Sequence, residues 1–416
     1  MTTTPATPPT SPTADPTPTR LLQRLADESH QRHAAGVHRQ LHPRRGDGLT
    51  IDRDGRALVN LSSNDYLGLA QHPHLIDAAA RAVRDHGTGS GASALAGGYS
   101  QAQHDLERRF AAFKHADAAV LLPTGFAANL ALLTTLARPG DLIAADALNH
   151  ASLIDAAKLS GATLRTYPHP TPTDPRRYEK LQRLHQRHPA DPPPPDAVRL
   201  IVTDAVFSMD GDTADLRRLA DLAAAHDAAL VVDEAHATAV LGQTGAGLIE
   251  AQGVTGRVTA AVSTASKALG GLGGLITGPA AVVEAVINRG RSLIYSTAPP
   301  PSQVAAIDAA LDVVADEPDR RRRVQAIAVQ VRDAIGLPTQ DHATVTPIVP
   351  WIAGTPDAAA CLADTLADAG FAAPVIRPPT VKPGTSRVRL SLRADLTDDH
   401  VARLCETLAA AAARSA

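Results

Sequence analysis

The sequence "VTAAVSTASKALGG", Val258–Gly271, begins as a run of apolar and β-branched residues and ends in a turn of small residues around one lysine. The first part is typical of a buried strand, and the second places Lys267 directly after its end. The chain has only five lysines among its 40 basic residues, so arginine carries most of the surface charge. Arginine cannot replace an amine that must lose its proton and act as a nucleophile. Lys267 is therefore a candidate catalytic residue.

Similar apolar runs occur on both sides of this lysine and alternate with helical patterns. The runs are "AAVLLPTG", "DLIAADAL", "TLRTYPH", "VRLIVTDAVF" and "ALVVDEAH". Nearly continuous apolar strands separated by helices favour a mostly parallel sheet that is covered on both faces. After Ile294 two long helical segments and a few short strands follow. The sequence therefore predicts an α/β fold, with a large domain around the sheet and a smaller α+β C-terminal domain.

The chain of 416 residues is long enough for two domains. Residues 1–19 are rich in proline and threonine, and we expect a disordered tail there. An N-terminal arm over residues 20–60, a large domain over 61–300 and a small domain over 301–416 complete the prediction.

Composition excludes several classes of protein. The net charge of −3 argues against a nucleic-acid binder, and the cluster "DRRRR", Asp319–Arg323, is interpreted as a solvated helix face. No apolar run is long enough for a membrane span, and the N-terminus lacks the pattern of a secretory signal. The two cysteines suggest no disulfide framework. We therefore expect a cytoplasmic protein.

Polar residues follow the predicted strands at the points where the strands end. In open α/β sheets, ligands bind beyond these carboxyl ends. The residues concerned are Gly125 and Phe126, His150, Asp204 and Ser208, Asp233 and His236, and Thr264, Ser266 and Lys267.

Each of these residues also has a purely structural interpretation. Asp233 could cap a helix, His150 could cap the helix "ASLIDAAKL", and His236 could be a satisfied core histidine. Gly125 could simply form a tight turn. The functional interpretation depends on their occurring together at one edge of one sheet.

Together these residues fit one chemistry. A lysine forms a Schiff base with an aldehyde, and a buried aspartate stabilises a protonated pyridine nitrogen. Backbone N–H groups at a helix N-terminus bind a phosphate. These are the requirements of pyridoxal 5′-phosphate (PLP), and no metal site is predicted.

The chain resembles the α-oxoamine synthase family, which belongs to the fold-type I PLP-dependent transferases. The resemblance covers about residues 37 to 410. It is carried by the segments "SSNDYLGL", "GTGSGASALAGGYS", "PTGFAAN", "LNHASLIDAAKLSGA", "DAVFSMDGDTADL", "VVDEAHATAVLG", "STASKALGG" and "IYSTAPPP".

The resemblance implies a role for each residue of the PLP site. His150, Asp233 and Lys267 are implied to be catalytic. The implied cofactor contacts are Gly125, Phe126, His150, Ser208, Asp233, His236, Thr264 and Lys267.

The resemblance also implies substrate contacts and a homodimer with shared active sites. Asn64, Arg377 and Thr380 are expected to face the substrate. Relatives use an arginine of the arm to contact the acyl donor, but His38 stands at that place here, with Arg39 beside it. In the dimer, Tyr295–Ala298 is expected to reach the partner's phosphate.

The segment "IRPPTVKPGTSRVRLSL", Ile376–Leu392, is most similar to the branch of the family that acts in biotin biosynthesis. This similarity implies condensation of L-alanine with a pimeloyl thioester, carried by CoA or by an acyl carrier protein. The alternatives are condensation of glycine with acetyl-CoA or succinyl-CoA, and a non-catalytic scaffold subunit. The presence of Lys267 argues against the scaffold.

Overall fold

The structure is a computed structural model that describes residues 19–41, 43, 45–53, 55–171, 174, 176–186, 194–337, 339 and 344–415. It divides into an N-terminal unit, residues 1–44, and a main unit, residues 45–416. In the N-terminal unit, Thr19 caps helix α1, Arg20–Ala34, by accepting a hydrogen bond from the Leu22 amide. Apart from Thr19, the predicted tail lies outside the described residues. The other predicted domain boundaries remain a proposal.

The main unit contains thirteen strands and thirteen further helices among its described residues. The strands are β1 (Thr50–Arg53), β2 (Arg56–Asn60), β3 (Ala118–Leu122), β4 (Leu142–Asp146), β5 (Thr163–Tyr167), β6 (Arg199–Asp204), β7 (Ala228–Asp233), β8 (Ala260–Thr264), β9 (Gly274–Gly278), β10 (Ile348–Gly354), β11 (Phe371–Ala372), β12 (Val375–Ile376) and β13 (Ser386–Ser391). The helices are α2 (Pro73–His86), α3 (Gln101–Phe113), α4 (Gly125–Leu136), α5 (Ala151–Leu159), α6 (Arg177–Gln186), α7 (Leu216–Ala225), α8 (Leu248–Ala251), α9 (Ala280–Arg289), α10 (Arg291–Ile294), α11 (Pro301–Asp316), α12 (Asp319–Ala334), α13 (Pro356–Asp368) and α14 (Asp398–Ser415).

The central sheet has seven strands in the order β3-β9-β8-β7-β6-β4-β5. All pairs are parallel except those of β9, which runs antiparallel between β3 and β8. This arrangement confirms the predicted mostly parallel sheet. The sequence analysis did not predict β9, because its short segment "GLITG" follows a glycine-rich turn and carries little strand signal of its own.

Both faces of the sheet are buried, which explains the nearly continuous apolar strands. In β3 the side chains of Val120 and Leu122 join one core, whereas Leu121 joins the other. Helices α4, α5 and α9 contribute to the first core, and α3, α7 and α11 to the second. Covered in this way, the sheet holds its carboxyl edge rigidly under the loops that carry the polar residues.

Two smaller sheets complete the main unit. Strands β10, β13 and β12 pair antiparallel, and β11 pairs parallel with β2 of the β1–β2 hairpin. The C-terminal segment thereby brings β13 close to the central sheet, where Arg389 donates to the Ser208 carbonyl.

The arginine cluster at the start of α12 is only in part the solvated helix face that we predicted: Arg322 is exposed and pairs with Asp319 within the helix, but two other arginines bind neighbouring segments. Arg321 is only 7% exposed and donates to the carbonyl oxygens of Val314 and Gln243. Arg323 pairs with Asp398 at the start of α14. The charge pattern alone could not show that neighbouring segments supply acceptors for these guanidinium groups.

Candidate active site

All eight residues that the resemblance assigns to the cofactor line one cavity of about 260 Å³. The cavity lies where β6, β7 and β8 end and where α4 begins. Parallel strands bring their carboxyl ends to the same edge, so residues far apart in sequence meet there. The remaining lining residues are Thr124, Asn129, Ser152, Asp204, Ala235, Ser266 and Leu272.

Lys267 lies in the turn after β8, and its Nζ is 2.9 Å from Nε2 of His236. Burial lowers the pKa of Lys267 to about 8, since an ammonium loses its hydration there. The nearby Asp233, and to a smaller extent Asp204, oppose this shift. Near neutral pH, more of this amine is therefore free than in an exposed lysine, which favours a nucleophilic role.

His236 connects this amine to a chain of hydrogen bonds. Its Nδ1 is 2.6 Å from the Tyr66 hydroxyl, and that hydroxyl donates to Asn64 Oδ1 at 3.2 Å. Burial holds the pKa of His236 well below its ordinary value and raises the pKa of Tyr66 to about 12. With both groups neutral, Nδ1–H donates to Tyr66 and Nε2 accepts from Lys267.

Arg389 closes the far end of this chain. Its Nη1 and Nη2 each donate to Asn64 Oδ1 at 3.2 Å, and its Nε donates to the Ser208 carbonyl at 2.5 Å. The residue is only 5% exposed. A guanidinium beside Asn64 can bind a carboxylate in a forked geometry.

Asp233 ends β7 and faces the cavity. Asn129 Nδ2 donates to its Oδ2 at 2.6 Å, and the Ala235 amide donates to its Oδ1 at 2.8 Å. Asp204 stands beside it in register on β6. Burial, together with the charge of Asp233, raises the pKa of Asp204 well above its ordinary value. The two carboxyl groups therefore face the cavity edge as a coupled pair, in which Asp204 resists ionisation.

His150 both caps α5 and lines the cavity, so its structural and functional interpretations are compatible. Its Nδ1 accepts from the Ser152 amide at 3.3 Å and so caps α5. Its backbone N–H donates to Asp204 at 2.7 Å, which fixes the residue at the wall of the cavity. Burial lowers the pKa of His150, with a further contribution from the charge of Lys267. A neutral imidazole is suited to stack on an aromatic ring.

The first turn of α4 provides a cradle for a phosphate. Thr124 caps the helix by accepting from the Ala127 amide at 3.0 Å, so the first helical N–H groups point out of the helix end. A Cβ at Gly125 would lie 3.3 Å from Thr264 Cβ, so a side chain there would crowd the cradle. Thr264 Oγ1 lies 2.8 Å from Ser266 Oγ. Hydroxyl and N–H donors at a helix N-terminus fit a phosphate dianion.

These observations show that the cavity fits PLP. It presents an amine with a lowered pKa, the buried carboxyl group of Asp233, and a donor-rich helix end. Ser208, half-buried on the loop after β6, adds a hydroxyl to the wall.

The predicted substrate residues are distributed over three places. Asn64 lies beside Arg389, as described above. Arg377 and Thr380 share the turn after β12, where the Thr380 amide donates to the Arg377 carbonyl at 3.1 Å. His38 and Arg39 belong to the N-terminal unit, where the His38 ring stacks on His33 at 3.6 Å.

Tyr295–Ala298 follows α10 and is anchored to the chain near Ala92. The Ala298 amide donates to the Ala92 carbonyl at 3.0 Å, and Thr297 forms a bridge with Ser93. Tyr295 itself is 72% exposed. This exposed position leaves the predicted contact with a partner subunit open to test.

The sequence analysis missed several polar residues of the site. Asn129 lies one helical turn after Gly125, a spacing that could have indicated it. Tyr66 and Arg389 carried no such signal, because neither follows a strand of the central sheet.

Within the described ranges, no helix is long and apolar enough to cross a membrane. The same residues contain no group of three or more histidine, cysteine or acidic side chains placed to hold a metal ion.

Comparison with known proteins extends this description. The family model "Aminotransferase class I and II" matches residues 56–408. The 8-amino-7-oxononanoate synthase of Anaeromyxobacter dehalogenans is 43% identical over 363 residues, covering 87% of this chain and 88% of that protein. The enzyme of the same name from Burkholderia thailandensis is 44% identical over 358 residues, covering 84% and 88%.

Solved structures of related enzymes also resemble this chain. A structure of SPT with a PLP internal aldimine superposes with a TM-score of 0.85 at 27% identity, covering 95% of this chain and 99% of that one. The 8-amino-7-oxononanoate synthase of Francisella tularensis gives 0.69 at 28%, covering 86% and 98%. The chain belongs to the aminotransferase class I and II family, and within it to the PLP-dependent α-oxoamine synthases, where it is similar to the 8-amino-7-oxononanoate synthases.

Proposed function

We propose that this chain is an 8-amino-7-oxononanoate synthase, a PLP-dependent acyltransferase of biotin biosynthesis. It condenses L-alanine with a pimeloyl thioester, and carbon dioxide is released. The observation that carries the proposal is the cavity that joins Lys267, the buried Asp233 and the N-terminus of α4. The identity of 43% to 44% with curated synthases supports the choice of reaction.

Different residues of the chain would bind the phosphate, the ring and the phenolic oxygen of the cofactor. Gly125 and Phe126 would donate backbone N–H groups to the phosphate, and Thr264 would add its hydroxyl. His150 would stack on the ring, while Ser208 and His236 would contact its phenolic oxygen. When bound, PLP supplies an electron sink that stabilises a carbanion at the substrate Cα.

Asp233 and Lys267 would hold and transfer the protons that the reaction requires. Asp233 would hold the proton on the ring nitrogen, because Asn129 and the Ala235 amide fix its carboxyl group at the cavity. Lys267 Nζ would remove the proton from Cα of L-alanine and return one later. His236 orients this amine through the 2.9 Å contact with Nε2.

Two arginines are candidates for the α-carboxylate of L-alanine. Arg377 is the one that the resemblance implies. Arg389 is the second candidate because it holds Asn64 in place, but its guanidinium is already bonded to Asn64 and to the Ser208 carbonyl, so we favour Arg377. Substituting each by lysine and measuring KM for L-alanine would separate the two.

We also propose a cytoplasmic homodimer in which Tyr295–Ala298 completes the partner's phosphate site. His38 and Arg39 are proposed to contact the acyl donor. Light scattering of the purified protein tests the dimer.

The reaction is tested with purified, PLP-loaded protein. L-Alanine and glycine are each offered with pimeloyl-CoA, pimeloyl carrier protein, acetyl-CoA and succinyl-CoA. We expect turnover of L-alanine with a pimeloyl thioester and formation of 8-amino-7-oxononanoate. Preference for glycine with acetyl-CoA or succinyl-CoA would support the alternative reaction instead.

A further inference from the structure

A second cavity, of about 660 Å³, adjoins the cofactor cavity. Ser208 lines both cavities, and Asn149 of the second precedes His150 of the first. The turn Pro378–Thr385 forms much of the opposite wall. A substrate that reacts in the first cavity can therefore extend into the second without crossing the protein core.

Much of the wall of the second cavity is apolar. It includes side chains of Leu148, Phe207, Met209, Pro378, Pro379 and Val381. Such a wall suits an alkyl chain, because contact with it removes apolar surface from water.

Two charged side chains of this wall neutralise each other. Arg387 Nη1 donates to the Asp210 carboxylate and, at 3.2 Å, to the Met209 carbonyl. Its Nε donates to the Thr385 carbonyl at 3.0 Å. Arg387 is only 5% exposed, so its guanidinium is already committed to these acceptors.

Lys382 is the remaining charged residue among those that line this cavity. Its side chain is exposed and has no hydrogen bond or ion pair with any residue that the structure describes. Its backbone is fixed, because Thr385 donates to the Lys382 carbonyl from its amide at 3.1 Å and from its hydroxyl at 2.7 Å. The cavity thus combines an apolar wall with one unpaired ammonium group.

We propose that Lys382 binds the distal carboxylate of the acyl donor and so selects acyl chains that end in a negative charge. The alkyl part of the chain lies along the apolar wall, and the thioester carbon faces Lys267. This inference rests on the proposed function, since it assigns the acyl-donor end of the same active site.

The test compares two donors with the PLP-loaded enzyme and saturating L-alanine. One is pimeloyl-CoA, and the other is its methyl ester, whose distal end is neutral. The unaltered chain should prefer the free acid, and Lys382→Met should lower kcat/KM for the acid about fivefold while leaving the ester unchanged. Lys382→Arg should retain the preference, and Lys382→Glu should reverse it. Lys158→Met, at an exposed lysine of α5, is the matched control.

Each outcome decides the matter. If Lys382→Met lowers kcat/KM by the same factor with both donors, or changes it with neither, the role of Lys382 would be overturned. The proposed reaction would still stand. If the unaltered chain turns over neither CoA thioester, the same acid and ester are offered on an acyl carrier protein, and failure there too would overturn both proposals. Loss of the preference in Lys382→Met and its reversal in Lys382→Glu, with the preference kept in Lys382→Arg, would support the inference.

Discussion

Two lysines with little access to solvent, Lys114 and Lys267, have opposite surroundings. Lys114 Nζ contacts the Glu234 carboxylate at 2.5 Å and Thr238 Oγ1 at 3.3 Å, and it also donates to the Ala246 carbonyl. Lys267 Nζ contacts the neutral ring of His236 instead. The first amine is bonded directly to a carboxylate and to a backbone carbonyl. The second lacks such a partner, and its pKa falls to about 8.

Two successive acidic residues at the end of β7 have different roles, one in the cavity and one in holding the strand. Glu234 directly follows Asp233 and also accepts from the Ile249 amide at 2.9 Å. The ion pair of Lys114 and Glu234 therefore fixes the end of β7 on the side away from the cavity, while Asp233 faces the cavity. Burial alone does not make a lysine reactive. The charge of its nearest partner decides whether the amine can be free.

The largest effect is expected for Lys267→Ala. Turnover should be abolished, together with the visible absorbance of the lysine-bound cofactor, because no other amine of the cavity can replace Nζ. Absorbance spectra and the acyl-transfer assay measure both properties. Lys158→Ala, which removes an exposed lysine, should behave as the unaltered chain.

Asp233→Asn should lower kcat by about a thousandfold, or about 4 kcal/mol of barrier, while the cofactor stays bound. A neutral amide cannot hold the proton on the ring nitrogen. The fold should survive, since Asn129 Oδ1 has no hydrogen-bond partner among the described residues and can accept from the new amide if the Asn129 side chain flips. A normal kcat with a lowered Tm would instead make Asp233 a structural residue.

Lys114→Met should act on stability rather than on chemistry. It leaves the Glu234 carboxylate buried without its partner, which costs about 3 to 5 kcal/mol in unfolding experiments. The double variant with Glu234→Gln should recover part of this loss. The folded fraction should keep the visible absorbance. A stable variant without that absorbance would mean that Lys114 carries the cofactor.

His169 is a third ionisable side chain with little access to solvent, and its ring lies between two carboxylates. Its ring nitrogens lie 3.0 Å from Asp146 Oδ2 and 2.7 Å from Asp212 Oδ2. Burial opposes the charge, but these hydrogen bonds raise the pKa of His169 to about 9.

Because the pKa is higher in the folded state, the stability that His169 contributes is complete below about pH 6.5 and is lost as pH rises through about 9. His169→Asn should therefore cost up to about 3 kcal/mol at pH 6 and much less at pH 10. Urea unfolding at both pH values measures the difference. An equal loss at both would show that the imidazolium charge plays no part.

The sequence predicted the parts of the site that follow parallel strands. Asp233 and Lys267 come directly after apolar runs, and the topology of such sheets brings those ends together. The roles assigned to these residues stay predictions until the variants are measured.

The residues supplied by other segments were not predictable in the same way. Arg387 and Arg389 alternate with Val388 and Leu390, a pattern that ordinarily indicates a strand with one solvated face. In the structure both arginines are buried, because the loop after β6 provides acceptors for them. Sequence spacing reports which face is polar, but not which distant segment covers it.

The central claim is that Lys267, and not the second buried lysine, carries the cofactor. Borohydride reduction of the PLP-loaded protein makes the link permanent, and trypsin then releases the peptide from Val258 to Arg289, which is not cut at a modified Lys267. Mass spectrometry should locate the added pyridoxyl phosphate group on Lys267 and leave Lys114 unmodified. The group on Lys114, or on any lysine outside the cavity, would contradict the account.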